Sequence, residues 1–119
     1  MLSGAVLVVD DEAPIRGLLA AMLSRHGFAT LTAASADEAL AVARSRRLGL
    51  VICDYGLGEK NGLALLSALR AEQPEVPFVL VSALFPPDVP ELAHRAGCAL
   101  VLEKSDLLAD VAGHVRKAA

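Results

Sequence analysis

The sequence predicts an α/β fold, a single domain in which five β-α units build a doubly wound parallel sheet. Three observations carry this. Apolar runs of four or five residues rich in Val, Ile and Leu recur as Ala5–Val9, Leu50–Cys53 and Phe78–Val81. Such near-continuous runs are strands buried on both faces, as parallel sheets require. Between them lie stretches with apolar residues at helical spacing, and strand–helix alternation from end to end calls for a parallel sheet covered on both sides. Finally, the runs end in polar residues, Asp10-Asp11, Asp54 and Ser82, at the carboxyl edge where open parallel sheets bind their ligands.

Each element has its own signals. After the strand Ala5–Val9, Pro14 suits the opening turn of a helix, where its missing N–H is not needed. Ile15, Leu18, Leu19, Met22 and Leu23 then form one apolar stripe, and His26-Gly27 is the stop. Phe28 to Ala33 is a short strand. Ser35, with Glu38 three residues later, is a capping box for a helix over about 36–46. The strand ending at Asp54 leads into a loop, Tyr55 to Asn61, that contains Gly56 and Gly58 and closes on an Asn61-Gly62 turn signal. A helix over about 62–72 buries Leu63, Leu66 and Leu69. Pro74 and Pro77 frame the next loop, and Phe78–Val81 ends at Ser82. Prolines at 86, 87 and 90 delay and shorten the following helix to about 90–96, with Gly97 as its stop. Cys98 to Leu102 is the fifth strand, leading to Glu103-Lys104. Ser105 caps a last helix whose stripe is Leu107 or Leu108, Val111 and Val115.

Bulk properties narrow the function. A chain of 119 residues fits one domain, 1–119, with room for a real core. A net charge of -3 and a pI near 5.5 argue against direct binding of nucleic acid; the basic pair Arg46-Arg47 reads as a solvated helix end. No apolar stretch approaches the roughly 20 residues needed to span a bilayer, and no secretory signal is apparent. Cys53 and Cys98 read as reduced, buried thiols inside core strands, so a cytoplasmic location is expected. His26, His94 and His114 have no partner spacing and read as surface residues.

Two strands ending in aspartate gather Asp10, Asp11 and Asp54 in one crevice. At an effective dielectric near 20, each pair about 4 Å apart repels by roughly 4 kcal/mol. A cation or a shared proton therefore belongs there. Ser82 and Lys104 complete the set, each following a different strand. Three carboxylates, one ammonium and one divalent cation sum to zero charge. Hard oxygen ligands suit Mg²⁺, the usual partner of a transferring phosphoryl group, and the lysine and hydroxyl would donate to phosphoryl oxygens.

On these residues, in this order, the chain resembles the receiver domain of two-component response regulators over essentially all of its length. The resemblance implies a (βα)5, flavodoxin-like sheet of strand order 2-1-3-4-5. It implies that Asp54 accepts a phosphoryl group from the phosphohistidine of a histidine kinase or a histidine phosphotransfer protein. Asp11 and Asp54 would hold Mg²⁺ directly, Asp10 through water, and the Gly56 carbonyl as a further ligand. Lys104 would pair with the phosphoryl oxygens, and Ser82 would move to hydrogen-bond one of them. Such a domain is not an enzyme beyond its own phosphorylation and autodephosphorylation. The side chains two beyond Asp54 and Ser82 often tune its hydrolysis, and here Gly56 and Leu84 cannot orient a water. The residues specify neither the output partner nor whether the chain is a stand-alone receiver or a piece of a hybrid kinase or longer regulator.

Some positions depart from the family's pattern. Gly58 stands where proline is common, Val101 where the fifth strand usually carries Tyr or Phe, and Ser105 where proline usually follows the lysine. A cis peptide costs about 2.5–4 kcal/mol before a residue other than proline, so the Lys104–Ser105 bond is expected trans. With Val101 unable to act as an aromatic switch, a response to phosphorylation is expected in Ser82 to Pro90. That loop would move as a stiff flap about Ala83-Leu84, unless Phe85 is simply packed beneath it. Two other readings use the same architecture. A pseudo-receiver would bind partners without phosphorylation, against which the acidic triad and lysine argue. A flavodoxin-like nucleotide binder would need a Gly-, Ser- or Thr-rich loop where Asp10-Asp11-Glu12 would repel a phosphate.

Overall fold

The structure, a computed structural model, describes residues 2–119. β1 (Ala5–Val9), β3 (Leu48–Asp54) and β6 (Phe78–Ser82) form the centre of a five-stranded sheet with β2 (Thr30–Ala33) and β7 (Leu100–Glu103) at its edges. All pairings are parallel, in the order β2-β1-β3-β6-β7. With the short β4 (Gly56–Leu57) and β5 (Lys60–Asn61) hairpin set aside, this is the 2-1-3-4-5 order.

Every residue of the three central strands is buried, whereas both edge strands are partly exposed. The pleat divides the apolar residues between two layers. Val6, Val8, Leu50, Ile52, Val79 and Val81 face one side. They pack with Leu19 and Leu23 of α1 (Ala13–Arg25), Leu107 of α5 (Lys104–Ala109) and Val111 and Val115 of α6 (Val111–Ala118). Leu7, Val9, Val51, Cys53, Phe78 and Leu80 face the other. Their partners include Leu40 of α2 (Ala36–Ser45), Leu65, Leu66 and Leu69 of α3 (Gly62–Glu72) and Ala93 of α4 (Val89–Arg95). Each fully buried Leu contributes about 1.5–3 kcal/mol, and both layers stabilise the sheet beneath its carboxyl edge.

Several boundaries differ from the sequence reading. Leu18 is exposed, while Ile15, Leu19, Met22 and Leu23 form the α1 stripe that meets the core. In α3 Leu66 and Leu69 are buried as expected, but the third buried leucine is Leu65, while Leu63 is only partly covered. Cys98 lies in the turn before β7, buried but outside the strand. The loop after Asp54 folds back as the β4–β5 hairpin, with Gly58 at φ 77° making its turn. Ser105 is not a cap: the helix begins at Lys104, then breaks at Asp110, whose Oδ1 accepts the Gly113 N–H at 3.0 Å and starts α6. Ser35 and Asn61 do cap α2 and α3, accepting the N–H groups of Glu38 and Ala64 at 3.1 and 2.9 Å. Among the described residues no peptide bond is cis, so Lys104–Ser105 is trans as expected.

One clamp was not apparent from the sequence. The Gln73 amide donates to the carbonyls of Ala43 at 2.8 Å and Arg46 at 2.7 Å, and its Oε1 accepts the Leu48 N–H at 3.0 Å. It satisfies the end of α2 and ties it to the start of β3. The chain runs from β1 out to β2, then returns to place β3 on the other side of β1. Strand order thus reverses between β1 and β3, and a crevice opens beyond their carboxyl ends.

Candidate functional site

Asp10 directly follows β1 and Asp54 is the last residue of β3, so the reversal point places both at one edge. Asp10 is 1% exposed. Its Oδ1 accepts the Glu12 N–H at 2.9 Å, and Arg16 of α1 donates to its carbonyl at 2.7 Å. Asp54 is held through its neighbour: the Tyr55 N–H donates to Val81 at 2.8 Å, and the Tyr55 carbonyl accepts the Gly62 N–H at 2.7 Å. Gly62 has to be glycine for this. A Cβ there would lie 2.9 Å from the Asp54 carbonyl oxygen and 2.5 Å from Leu80 Cδ1, distances that real side chains do not tolerate.

Lys104 brings the strand ends together. It follows Glu103, which pairs with Ser82 across β7 and β6. As the first residue of α5 it sends its ammonium back over the edge. Nζ lies 3.1 Å from Asp10 Oδ2, 3.3 Å from Glu12 Oε1 and 3.5 Å from Asp54 Oδ1. The expected group of Asp10, Asp54 and Lys104 therefore converges. Glu12 joins it, a residue that sequence reasoning used only to reject a phosphate-binding loop. The signal was present, since Glu12 continues the acidic run Asp10-Asp11.

The electrostatics are lopsided. Burial pushes Asp54 up to about 6; the Lys104 ammonium opposes this, while Asp10 and Asp11 add to it. Burial alone would lower Lys104, yet its contacts with Asp10, Asp54 and Glu12 prevail and the net shift is upward. One ammonium does not offset this many carboxylates, so the edge favours a further cation. The oxygens of Asp10, Asp11 and Glu12 come within 4.8 Å of one another, the span of a shared ion, and Asp54 stands outside that trio. Asp10 Oδ2 is buried and makes no hydrogen bond among the described residues; Lys104 meets it as an ion pair only. An all-oxygen, acidic donor set with a buried carboxylate oxygen met only by one ammonium fits a hard divalent cation.

The remaining expected residues take other places. Ser82 is buried, and its hydroxyl donates to the Leu84 carbonyl at 3.1 Å. Gly56 is exposed on β4, in the hairpin that follows Asp54. Tyr55, not singled out from the sequence, meets Phe85 edge-on, with ring centroids 6.3 Å apart at 61°. Phe85 is therefore packed in this state. Cys53 is buried beside the site with its thiol donating to the Asp54 carbonyl at 3.2 Å. Its pKa is raised by burial and by Asp54 and Asp10, so it is no nucleophile. A cavity of about 540 Å³ lies elsewhere, among Ser3, Arg47, Gln73 and Pro77, and none of the edge residues lines it.

An open parallel sheet whose switch point gathers buried aspartates, a lysine and a strand-end hydroxyl defines a class of phosphoryl-accepting α/β domains. Residues 6–114 match the response regulator receiver domain, and the chain belongs to that family. It is 43% identical over 79 residues to the nitrogen assimilation regulatory protein NtrX of Azorhizobium caulinodans, covering 65% of this chain and 17% of that protein. It is 35% identical over 101 residues to the alginate biosynthesis regulator AlgB of Pseudomonas aeruginosa, covering 85% of this chain and 22% of that protein. The chain thus spans about a fifth of the length of these two curated relatives. The crystal structure of the receiver domain of NtrX from Brucella abortus superposes with a TM-score of 0.79 at 37% identity, covering 96% of this chain and 99% of that one. A response regulator from Burkholderia pseudomallei, solved with a phosphorylated aspartic acid, a calcium ion and citrate, superposes at 0.81 with 27% identity, covering 97% of this chain and 70% of that one. Among the described residues no helix is long and apolar enough to cross a membrane.

Proposed function

We propose that Asp54 accepts a phosphoryl group from a phosphohistidine, carried by a histidine kinase or a histidine phosphotransfer protein, and that the phosphorylated domain changes its binding to an output partner in the cytoplasm. The observation that carries this reading is the Lys104 ammonium held between Asp10 and Asp54, 3.1 and 3.5 Å away, at the sheet's switch point. An Asp54 carboxylate oxygen attacks phosphorus, the P–N bond breaks, and its electron pair returns to the donor imidazole. The product is an acyl phosphate on Asp54. Asp54 loses its own negative charge in this step, and the Lys104 donors that faced it pass to the phosphoryl oxygens. The Ser82 hydroxyl leaves the Leu84 carbonyl and donates to another of those oxygens. Mg²⁺, when bound, would supply charge neutralisation for the transfer. Asp10, Asp11, Asp54 and the Gly56 carbonyl are the groups to hold it, with Glu12 at the rim. Water attacks phosphorus, the bond from phosphorus to the Asp54 oxygen breaks, and inorganic phosphate leaves with Asp54 again a carboxylate; neither Gly56 nor Leu84 offers a polar side chain to direct that water.

Incubation with acetyl phosphate and Mg²⁺ tests this. Intact-mass spectrometry should find one added phosphate, lost in Asp54→Asn and in chelator. Labelling that survives the substitution overturns the assignment. No labelling of the wild type, from acetyl phosphate or from a phosphorylated histidine donor, would favour a phosphorylation-independent interaction module on the same fold.

A further inference from the structure

We infer that the Tyr55–Phe85 contact is a latch that keeps the Ser82 hydroxyl engaged on the Leu84 carbonyl; this deepens the reading of Asp54 as phosphoacceptor and rests on it. Between Ser82 and Val89, both buried, residues 83, 84, 86, 87 and 88 are exposed and Phe85 alone turns inward. The Leu84 side chain is 82% exposed, so its own packing does not position the carbonyl that Ser82 uses. The next residue does. The Phe85 ring meets Tyr55 at 6.3 Å and 61°, an edge-to-face geometry that is attractive beyond its buried area.

Tyr55 is a firm anchor. Its N–H and carbonyl are tied to Val81 and Gly62, and it follows Asp54 directly on the strand end. On the far side of Phe85, Pro86 and Pro87 have φ restricted near -65°, and the Val89 N–H donates to the Pro86 carbonyl at 3.1 Å. The loop therefore has three fixed points, Ser82, Phe85 and Val89. Releasing the middle one lets the Leu84 carbonyl move and the Ser82 hydroxyl turn to a phosphoryl oxygen. Phe85 is in this sense a positioning residue that acts through Ser82.

Amide resonances and beryllofluoride binding test the latch. In the protein without ligand, Phe85→Leu keeps an apolar side chain but removes the ring edge, and should shift the Ser82 and Leu84 amides. With Mg²⁺ and beryllofluoride, the variant should bind the phosphoryl mimic about two- to tenfold more tightly, the size of one aromatic pair. In a Ser82→Ala background that gain should vanish, which a merely structural role for Phe85 does not predict. Tyr55 is the chain's one tyrosine, in a chain without tryptophan, so its fluorescence reports the ring contact directly and should respond to beryllofluoride. Unmoved Ser82 and Leu84 amides, unchanged or weaker binding in Phe85→Leu, or a gain that persists without the Ser82 hydroxyl would each overturn the latch. Wild-type protein that binds no beryllofluoride, or binds it equally in Asp54→Asn, counts against Asp54 as phosphoacceptor, and the ligand-free amide shifts then decide the latch alone.

Discussion

Asp54 carries the proton balance of the site. A free aspartate gives up its proton near 3.8, whereas burial holds the Asp54 proton to about 6. Between these values the folded chain binds a proton that the unfolded chain does not. The Asp54 contribution therefore falls as pH rises through that window, by on the order of 1 kcal/mol in metal-free protein after solvent screening. Urea midpoints from pH 4 to 7 should decline more steeply for wild type than for Asp54→Asn, and parallel curves would refute the shift. The same proton competes with a cation, so Mg²⁺ affinity should fall below about pH 6 and recover above it. Much of this chemistry was legible in the chain: Asp10, Asp54, Ser82 and Lys104 stand at predicted strand ends, and that position alone brings them to one edge. Glu12 lay in plain view in the acidic run, but its partner Lys104 is 92 residues away, and that pairing, like the Tyr55–Phe85 contact, leaves no local pattern.

Elements aim these residues, and their ends matter more than their lengths. The start of α3 rests on the backbone of Asp54, with Gly62 at the contact. Gly62→Ala should cost about 1–3 kcal/mol, as overpacking does, and slow acetyl phosphate labelling, because the shift passes directly to Asp54. Asp110→Ala should cost about 1 kcal/mol by removing the α6 cap and leave labelling unchanged. Urea denaturation and labelling on the two variants separate a cap far from the chemistry from a contact beneath it. Equal labelling by Gly62→Ala and wild type would show that α3 does not position the acceptor. The Asp110 break illustrates why boundaries escaped the sequence reading. Ser105 and Asp110 are both acceptable caps by composition, and the choice depends on where Leu107 and Val111 must enter the core beneath Val79 and Val81.

At the scale of the whole molecule, Asp10, Asp11, Glu12 and Asp54 share one edge with a single ammonium, while the sheet behind them is apolar on both faces. A ligand that binds only the folded arrangement stabilises it by mass action, about 2.7 kcal/mol at a hundred times its Kd. Mg²⁺ should therefore raise the melting temperature of the wild type, and much less that of Asp11→Asn, which loses one of few charged ligands. Calorimetry with and without the ion checks this. Equal Mg²⁺-induced shifts in the two proteins would exclude Asp11 from the site.

The sequence by itself determined the architecture and which polar residues stand at the carboxyl edge. Fully buried central strands need uninterrupted apolar runs, helices covering them need a stripe, and polar residues ending those runs have nowhere to go but the carboxyl edge. Ser105 in place of proline likewise announced a trans peptide after Lys104. What only the tertiary structure decided were contacts between elements distant in the chain: Lys104 between Asp10 and Asp54, Gln73 joining α2 to β3, and Phe85 against Tyr55. The physical reason is range. Periodicity and capping act within a few residues, whereas an ion pair or a ring contact is set by how the packed layers place two side chains in space.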